Sequence, residues 1–258
     1  MLEHWQKHNG FLQQVNPILK LVSLLIVIAA MVTVFDPWTP LAVVVITIAL
    51  LRLLGGIPLK VIGLFLLPFS LFALSFVWMT VLFPRERGTD ILFHLLFVPV
   101  TLENVLTGIA LGLRSLVFAL WSLLFVLTTE PTKLMLGLVQ HCKLPPRFGY
   151  GMMAAYRFVP LFRQELNQIR AAHQIRGMGE SRSLRGRWEQ LKRYAIPLLA
   201  GAIRKAERVA IAMESKGFDG SRERTYYRKI SWTGYDLLYG MLLLLIVASI
   251  LLLRGMFV

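Results

Sequence analysis

The chain alternates between stretches almost free of charge and stretches dense in it. Nearly charge-free runs cover residues 21–35, 37–51, 61–83, 104–129 and 237–253, the fourth broken only by Arg114. A helix crosses the hydrocarbon of a bilayer with roughly 20 apolar residues, and about 17 suffice where the bilayer is thin. The runs therefore predict five transmembrane helices, the second at the short limit. The first reads as a retained span: no small-x-small cleavage site precedes the turn Asp36-Pro37-Trp38-Thr39-Pro40, and the next run follows at once.

The long segment between the fourth and fifth runs carries a different pattern. Residues 132–141 place Leu134, Met135 and Leu138 on one side, enough for a short helix on the membrane surface, and Lys143-Leu144-Pro145-Pro146 ends it. From residue 147 to 176 apolar side chains recur at Ala155, Val159, Phe162, Leu166 and Ile169, with Arg157, Arg163, Gln164, Gln168 and Arg170 opposite. After a Gly/Ser/Arg linker at 179–186 the spacing resumes with Trp188, Leu191, Ala195, Leu198, Ala202, Ala206, Val209 and Met213. Arg193, Arg204, Lys205, Arg208 and Glu214 lie off that stripe. A three-to-four spacing is one face of an α-helix. Each helix contains one proline, Pro160 and Pro197, which removes an intrahelical hydrogen bond and bends the axis. At 1.5 Å per residue, helices of roughly 30 residues reach about 45 Å.

The predicted fold is an all-α integral membrane protein. Residues 1–129 hold transmembrane helices 1–4, residues 130–230 a cytoplasmic insert of one short surface helix and two long helices, and residues 231–258 the C-terminal span.

Both long helices close in the same way. One ends Ala172-His173-Gln174-Ile175-Arg176-Gly177-Met178, the other Ala212-Met213-Glu214-Ser215-Lys216-Gly217-Phe218. A glycine takes the left-handed conformation at a helix end without a Cβ clash, and a cation in the last turn complements the negative end of the helix dipole. One such ending is ordinary punctuation. Two matched endings in the polar insert of a membrane protein point to docking.

Charge adds an orientation. The net charge is +14, and residues 131–230 carry 20 Lys/Arg against 7 Asp/Glu, while the remainder carries 8 against 7. Positive charge marks the cytoplasmic side, and Lys7, Lys20, Arg52 and Lys60 agree with a cytoplasmic N-terminus and insert. The Arg85-Glu86-Arg87 segment and the C-terminal tail then lie outside, where Arg254 can snorkel to the interface.

Candidate chemistry is sparse. No glycine-rich loop ends in Gly-Lys-Ser/Thr, so the chain is not expected to hydrolyse nucleotide itself. The apolar runs hold no acidic residue at their centres, and the single cysteine, Cys142, offers neither a disulfide framework nor a metal cluster. His4 and His8 stand at helical i, i+4 spacing, which could hold a metal but offers only two ligands, a weak signal, and His94, His141 and His173 are isolated. No catalytic, cofactor or metal residue is assigned. Arg114 is the one charge within a span, and Gly108 and Gly112 form a pair four apart that lets another helix approach closely, either of a partner subunit or of this bundle.

These features together resemble the T component of energy-coupling factor transporters, the CbiQ-like family, over essentially the whole chain. The resemblance is carried by Tyr156-Arg157-Phe158-Val159-Pro160, by the end at Arg176-Gly177, and by the segment from Glu207 and Arg208 through Glu214 to Phe218. It implies a non-catalytic subunit of an ATP-driven importer. Such a subunit joins two cytoplasmic ABC ATPases to a small membrane substrate-binding subunit in the plasma membrane of a prokaryote, and takes up a vitamin, a vitamin precursor or a transition-metal ion. It also implies that two Ala-Arg-Gly motifs dock into the ATPases, at Ile175-Arg176-Gly177 and Ser215-Lys216-Gly217 in this chain. Tyr156, Arg157, Pro160, Pro197, Arg208 and Glu214 are then supports of the coupling helices. The chain departs from the pattern where Ile175 and Ser215 replace alanine and Lys216 replaces arginine. Lysine keeps the charge but loses the planar fork that grips a carboxylate twice. A competing reading, a basic region that binds anionic lipid or nucleic acid, explains the charge but not the matched helix ends; the resemblance itself implies no nucleic-acid partner.

Overall fold

The computed structural model describes residues 10–83, 91–95, 98–177 and 183–257. The predicted Arg85-Glu86-Arg87 loop and the His4 and His8 pair lie outside them. Two compact units emerge, residues 1–137 with 230–258 and residues 138–229.

In the first unit a helical turn α1 (Phe11–Gln14) leads into α2 (Pro17–Val32). Asn16 starts α2: its side-chain oxygen accepts from the Ile18 N–H at 3.0 Å, and Pro17 sits where a missing N–H costs nothing. Helix α3 (Trp38–Leu53) begins where the run from residue 37 predicts, inside the Asp36-to-Pro40 turn, and the Asp36 carboxylate accepts from the Thr39 N–H of its first turn at 2.7 Å. Gly56, at φ +66°, and Pro58 separate it from α4 (Leu59–Leu82). A two-stranded antiparallel ribbon follows, β1 (Ile91–Leu95) with β2 (Val98–Thr101), paired from Ile91 opposite Thr101 to Leu95 opposite Val98. Helices α5 (Leu102–Thr128) and, after the second unit, α9 (Gly234–Phe257) complete it, and α6 (Pro131–His141) runs from the first unit into the second.

Five apolar helices are thus present where five were predicted. Helices α4, α5 and α9 are long and apolar enough to cross a bilayer, whereas α2 and α3, at 16 residues each, are shorter. Their cores interlock: Val27, Met31, Val43, Val117, Trp121 and Ile250 form one buried cluster, and Leu12, Leu51, Ile62, Leu120, Leu124 and Tyr239 a second. The outward faces of α4 and α9 expose Leu64, Leu67, Phe72, Leu74, Leu238, Leu244 and Leu245. An apolar surface of this extent suits hydrocarbon, not water. The fold is an all-α membrane protein, with the ribbon as its one β element among the described residues.

The second unit is built on α7 (Pro146–Ile175) and α8 (Leu184–Ser215). Part of the expected linker, from Leu184 to Gly186, is already helical, and both internal prolines are accommodated within their helices.

Candidate functional site: two helix tips on one antiparallel pair

Helices α7 and α8 run in opposite directions against each other. Near the start of α7, Tyr150 meets Phe218 edge to face at 5.5 Å. In the middle, Lys205 is ion-paired with Glu165, and near the end of α7 His173 lies 5.5 Å from Tyr194. The Glu165 carboxylate of that pair lies over Gly201 of α8, where an added Cβ would come within 2.6 Å of it. Phe158 and Phe162 of α7 and Ile203, Ala206, Val209 and Met213 of α8 line an apolar groove of about 730 Å³ along this pair.

The predicted apolar faces are only partly covered. Phe162 and Ala155 turn into the groove, but Val159 is 61% exposed, and Trp188, 60% exposed, leaves its face of α8 uncovered. Tyr156, Arg157, Pro160, Pro197, Arg208 and Glu214 are all exposed, Glu214 at the groove's edge and Arg208 donating from Nε to the Arg204 carbonyl at 3.4 Å.

Antiparallel packing sends the two cation-glycine endings to opposite ends of the pair, roughly 40 Å apart by helix length. Gly177 has φ +72° and Gly217 φ +79°, and a Cβ on either would meet no atom within 4 Å. Glycine is required there for its backbone conformation, not for space. At the second ending the Gly217 N–H donates to the Glu214 carbonyl at 2.9 Å and the Phe218 N–H to the Met213 carbonyl at 3.0 Å, the paired bonds of a Schellman cap. At the first the Gly177 N–H donates to the Gln174 carbonyl at 3.0 Å. Arg176 and Lys216 are exposed, and Ile175 is 87% exposed, a large apolar side chain projecting beside a cation. Ser215 is exposed as well, its hydroxyl donating to the Ala212 carbonyl of its own helix at 3.1 Å.

The second ending is also fastened from behind, by residues that periodicity could not single out. The Arg224 guanidinium lies 5.0 Å from the ring centroids of both Tyr150 and Phe218 and 5.9 Å from that of Tyr226. Arg147 donates to the Asp219 carbonyl at 3.1 Å. Hydrogen bonds from Ser221, its backbone N–H foremost at 2.9 Å, hold the Asp219 carboxyl below the usual carboxylate range.

Gly108 and Gly112 are occupied within the bundle. A Cβ on Gly112 would lie 2.9 Å from the Ala73 carbonyl oxygen of α4, and one on Gly108 would lie 2.9 Å from the Val77 Cα. Arg114 donates to the Val34 carbonyl just past the end of α2 and stacks 5.3 Å from the Phe35 ring. Among the described residues no group of three or more His, Cys, Asp or Glu could hold a metal ion.

An apolar helical bundle and a pair of long basic helices with exposed, matched tips make up an all-α membrane protein. The family whose sequence model is described as "CbiQ: Cobalt transport protein" matches residues 8–227. The chain belongs to that family. It is 29% identical over 220 residues to the energy-coupling factor transporter transmembrane protein EcfT of Bacillus subtilis (strain 168), covering 79% of this chain and 83% of that protein. It is 27% identical over 255 residues to EcfT of Macrococcus caseolyticus (strain JCSC5402), covering 96% and 95%. The EcfT of Limosilactobacillus fermentum (strain CECT 5716 / Lc40) is 28% identical over 236 residues.

Proposed function

We propose that this chain is the membrane-embedded coupling subunit of an energy-coupling factor importer, non-catalytic itself and driven by two cytoplasmic ABC ATPases. It would reside in the plasma membrane of a prokaryote with residues 138–229 on the cytoplasmic side. The observation that carries the reading is the placement of two similar tips, Ile175-Arg176-Gly177 and Ser215-Lys216-Gly217, at opposite ends of one antiparallel helix pair. Tips some 40 Å apart suit two separate sockets better than one.

Each tip presents a cation on a capped, rigid turn, so an acidic socket can grip it with little ordering cost. ATP-driven closure of the ATPases then moves the two ends of the pair relative to each other, and rigid helices carry the motion along their length. The apolar groove along α7 and α8 offers a surface to the small membrane subunit that binds a vitamin, a vitamin precursor or a transition-metal ion. Pro160 and Pro197 set the bend of the levers, and the exposed Tyr156, Arg157, Arg208 and Glu214 face partners.

Co-purification tests the assignment. Reversing a desolvated charge contact costs on the order of 2 to 5 kcal/mol, so Arg176→Glu is expected to lose the ATPases at equal membrane abundance, and Lys216→Glu to be at least as harmful. Retention of both ATPases by Arg176→Glu would contradict it.

A further inference from the structure

Lys20, one of the charges that agree with a cytoplasmic N-terminus, is 1% exposed, inside the first turns of α2. Its Nζ donates to the Thr128 carbonyl at 2.8 Å, with the Thr128 hydroxyl at 3.4 Å, and so caps the C-terminal end of α5, where a cation complements the dipole. Three residues on, the Ser23 hydroxyl donates to the Lys20 carbonyl at 2.8 Å and lies 2.7 Å from the Tyr239 hydroxyl of α9.

The same turn of α2 meets a second, opposite arrangement. Asp236, 5% exposed, sits in the first turn of α9, where an anion suits the positive end of the helix. One carboxylate oxygen accepts from the Asn16 N–H at 2.6 Å, and the other from the Thr233 N–H at 2.7 Å and the Thr233 hydroxyl at 3.2 Å. The charges acting on the Lys20 ammonium are Lys133 and Asp236, of opposite sign.

Thr128 is where the chain leaves the bundle for the long insert, and Thr233 to Asp236 is where it returns. We infer that Asn16, Lys20 and Asp236 form an anchoring post: the first turn of α2 holds both roots of the insert, so that force arriving along either root reaches the same point of the transmembrane bundle. Buried polar groups of this kind are costly unless satisfied, and three helix ends are satisfied here at one place. The post is itself fixed at its far end. Arg114 of α5 donates to the Val34 carbonyl beyond α2, while Lys20 of α2 donates to the last residue of α5, so each helix supplies a cation to the chain at the C-terminal end of the other. The same sequence distance separates Lys20 from Val34 and Arg114 from Thr128, roughly 20 Å at 1.5 Å per residue, and the two antiparallel helices are tied in register at both ends. Lys20 and Asp236 are positioning residues, and their role in coupling rests on the function proposed above; the geometry of the post does not.

Hydrogen exchange read by mass spectrometry tests it, on the full chain in lipid nanodiscs and on the complex isolated with its ATPases, with and without ATP, magnesium and vanadate. In Lys20→Met, exchange at residues 125–128, the last turn of α5, is expected to rise at least tenfold, further on vanadate trapping, while the middle of α5 is unchanged. Lys20→Arg, which keeps a cationic donor, restores protection. Asp236→Asn loosens residues 231–236 in the same way and carries the test if Lys20→Met does not accumulate. Unchanged exchange at both roots overturns the post, as does a Lys20→Arg protein as loose as Lys20→Met. Failure of the coupling reading shows separately, as ATPases that never co-purify with the wild-type chain, and leaves the nanodisc comparison intact.

Discussion

The Phe218 ring meets Tyr150 edge to face at 5.5 Å, so the residue after the second cation-glycine ending is seated on the opposite helix of the pair. Arg224 closes over both rings at 5.0 Å. The second tip is therefore held by its partner helix as well as by its own cap. Cation–π contacts contribute about 0.5 to 1 kcal/mol each at exposed sites. Arg224→Ala is expected to raise amide exchange across residues 216–221 several-fold and to leave residues 174–177 unchanged. Equal loosening of both tips would contradict the assignment.

Gly177 and Gly217 have open surroundings and left-handed backbones. For a residue bearing a Cβ that conformation costs roughly 1 to 2 kcal/mol. Gly217→Val should fray the last turn of α8, and Gly217→Asn should do so less, since asparagine tolerates the conformation; exchange at Phe218, whose amide bonds the Met213 carbonyl, reads the difference.

Gly112 is different, because there the constraint is space. A side chain would strike the Ala73 carbonyl of α4. Gly112→Val is expected to destabilise the α4–α5 packing by roughly 1 to 3 kcal/mol, seen as a lower melting temperature in detergent, whereas Gly63→Val on the open face of α4, where nothing lies within 4 Å, should change it little.

Much of this arrangement was legible in the sequence because periodicity is a local property. The five apolar runs, the two long helices, their prolines and their glycine ends each announce themselves within a few turns. Contacts between distant residues do not. Lys20 has the charge of an orientation signal, and only the approach of Thr128, 108 residues away, makes it a buried cap. The apolar stripes predicted continuous faces, yet along the α7–α8 contact Phe158 and Phe162 line the groove while Val159 and Trp188 stay uncovered. The ribbon at Ile91–Leu95 and Val98–Thr101 was missed because its short β-prone run lies beside an apolar span of the same composition. Arg224 belongs to no stripe at all. Its role depends on three rings brought together by the fold.

Asp219 gives the second tip a pH dependence of definite sign. Its carboxyl titrates below the ordinary value of 3.8, chiefly because the Ser221 N–H bonds the ionised form. A group whose folded pKa is depressed stabilises the fold above its unfolded pKa and loses that contribution as pH falls through the folded value. The turn at residues 219–221 is expected to loosen on acidification below about pH 4, and Asp219→Asn to remove that response in a pH series of the Ser221 amide.

If the chain couples two ATPases as proposed, its two tips occupy two different ATPase subunits. Bifunctional thiol cross-linking from Arg176→Cys and Lys216→Cys, each and together in a Cys142→Ser background, measures this directly in native membranes. One ATPase should attach at each single site, and two ATPases should attach to one chain in the double variant. Cross-links from both positions to a single ATPase copy, or to no ATPase at all, would contradict the account.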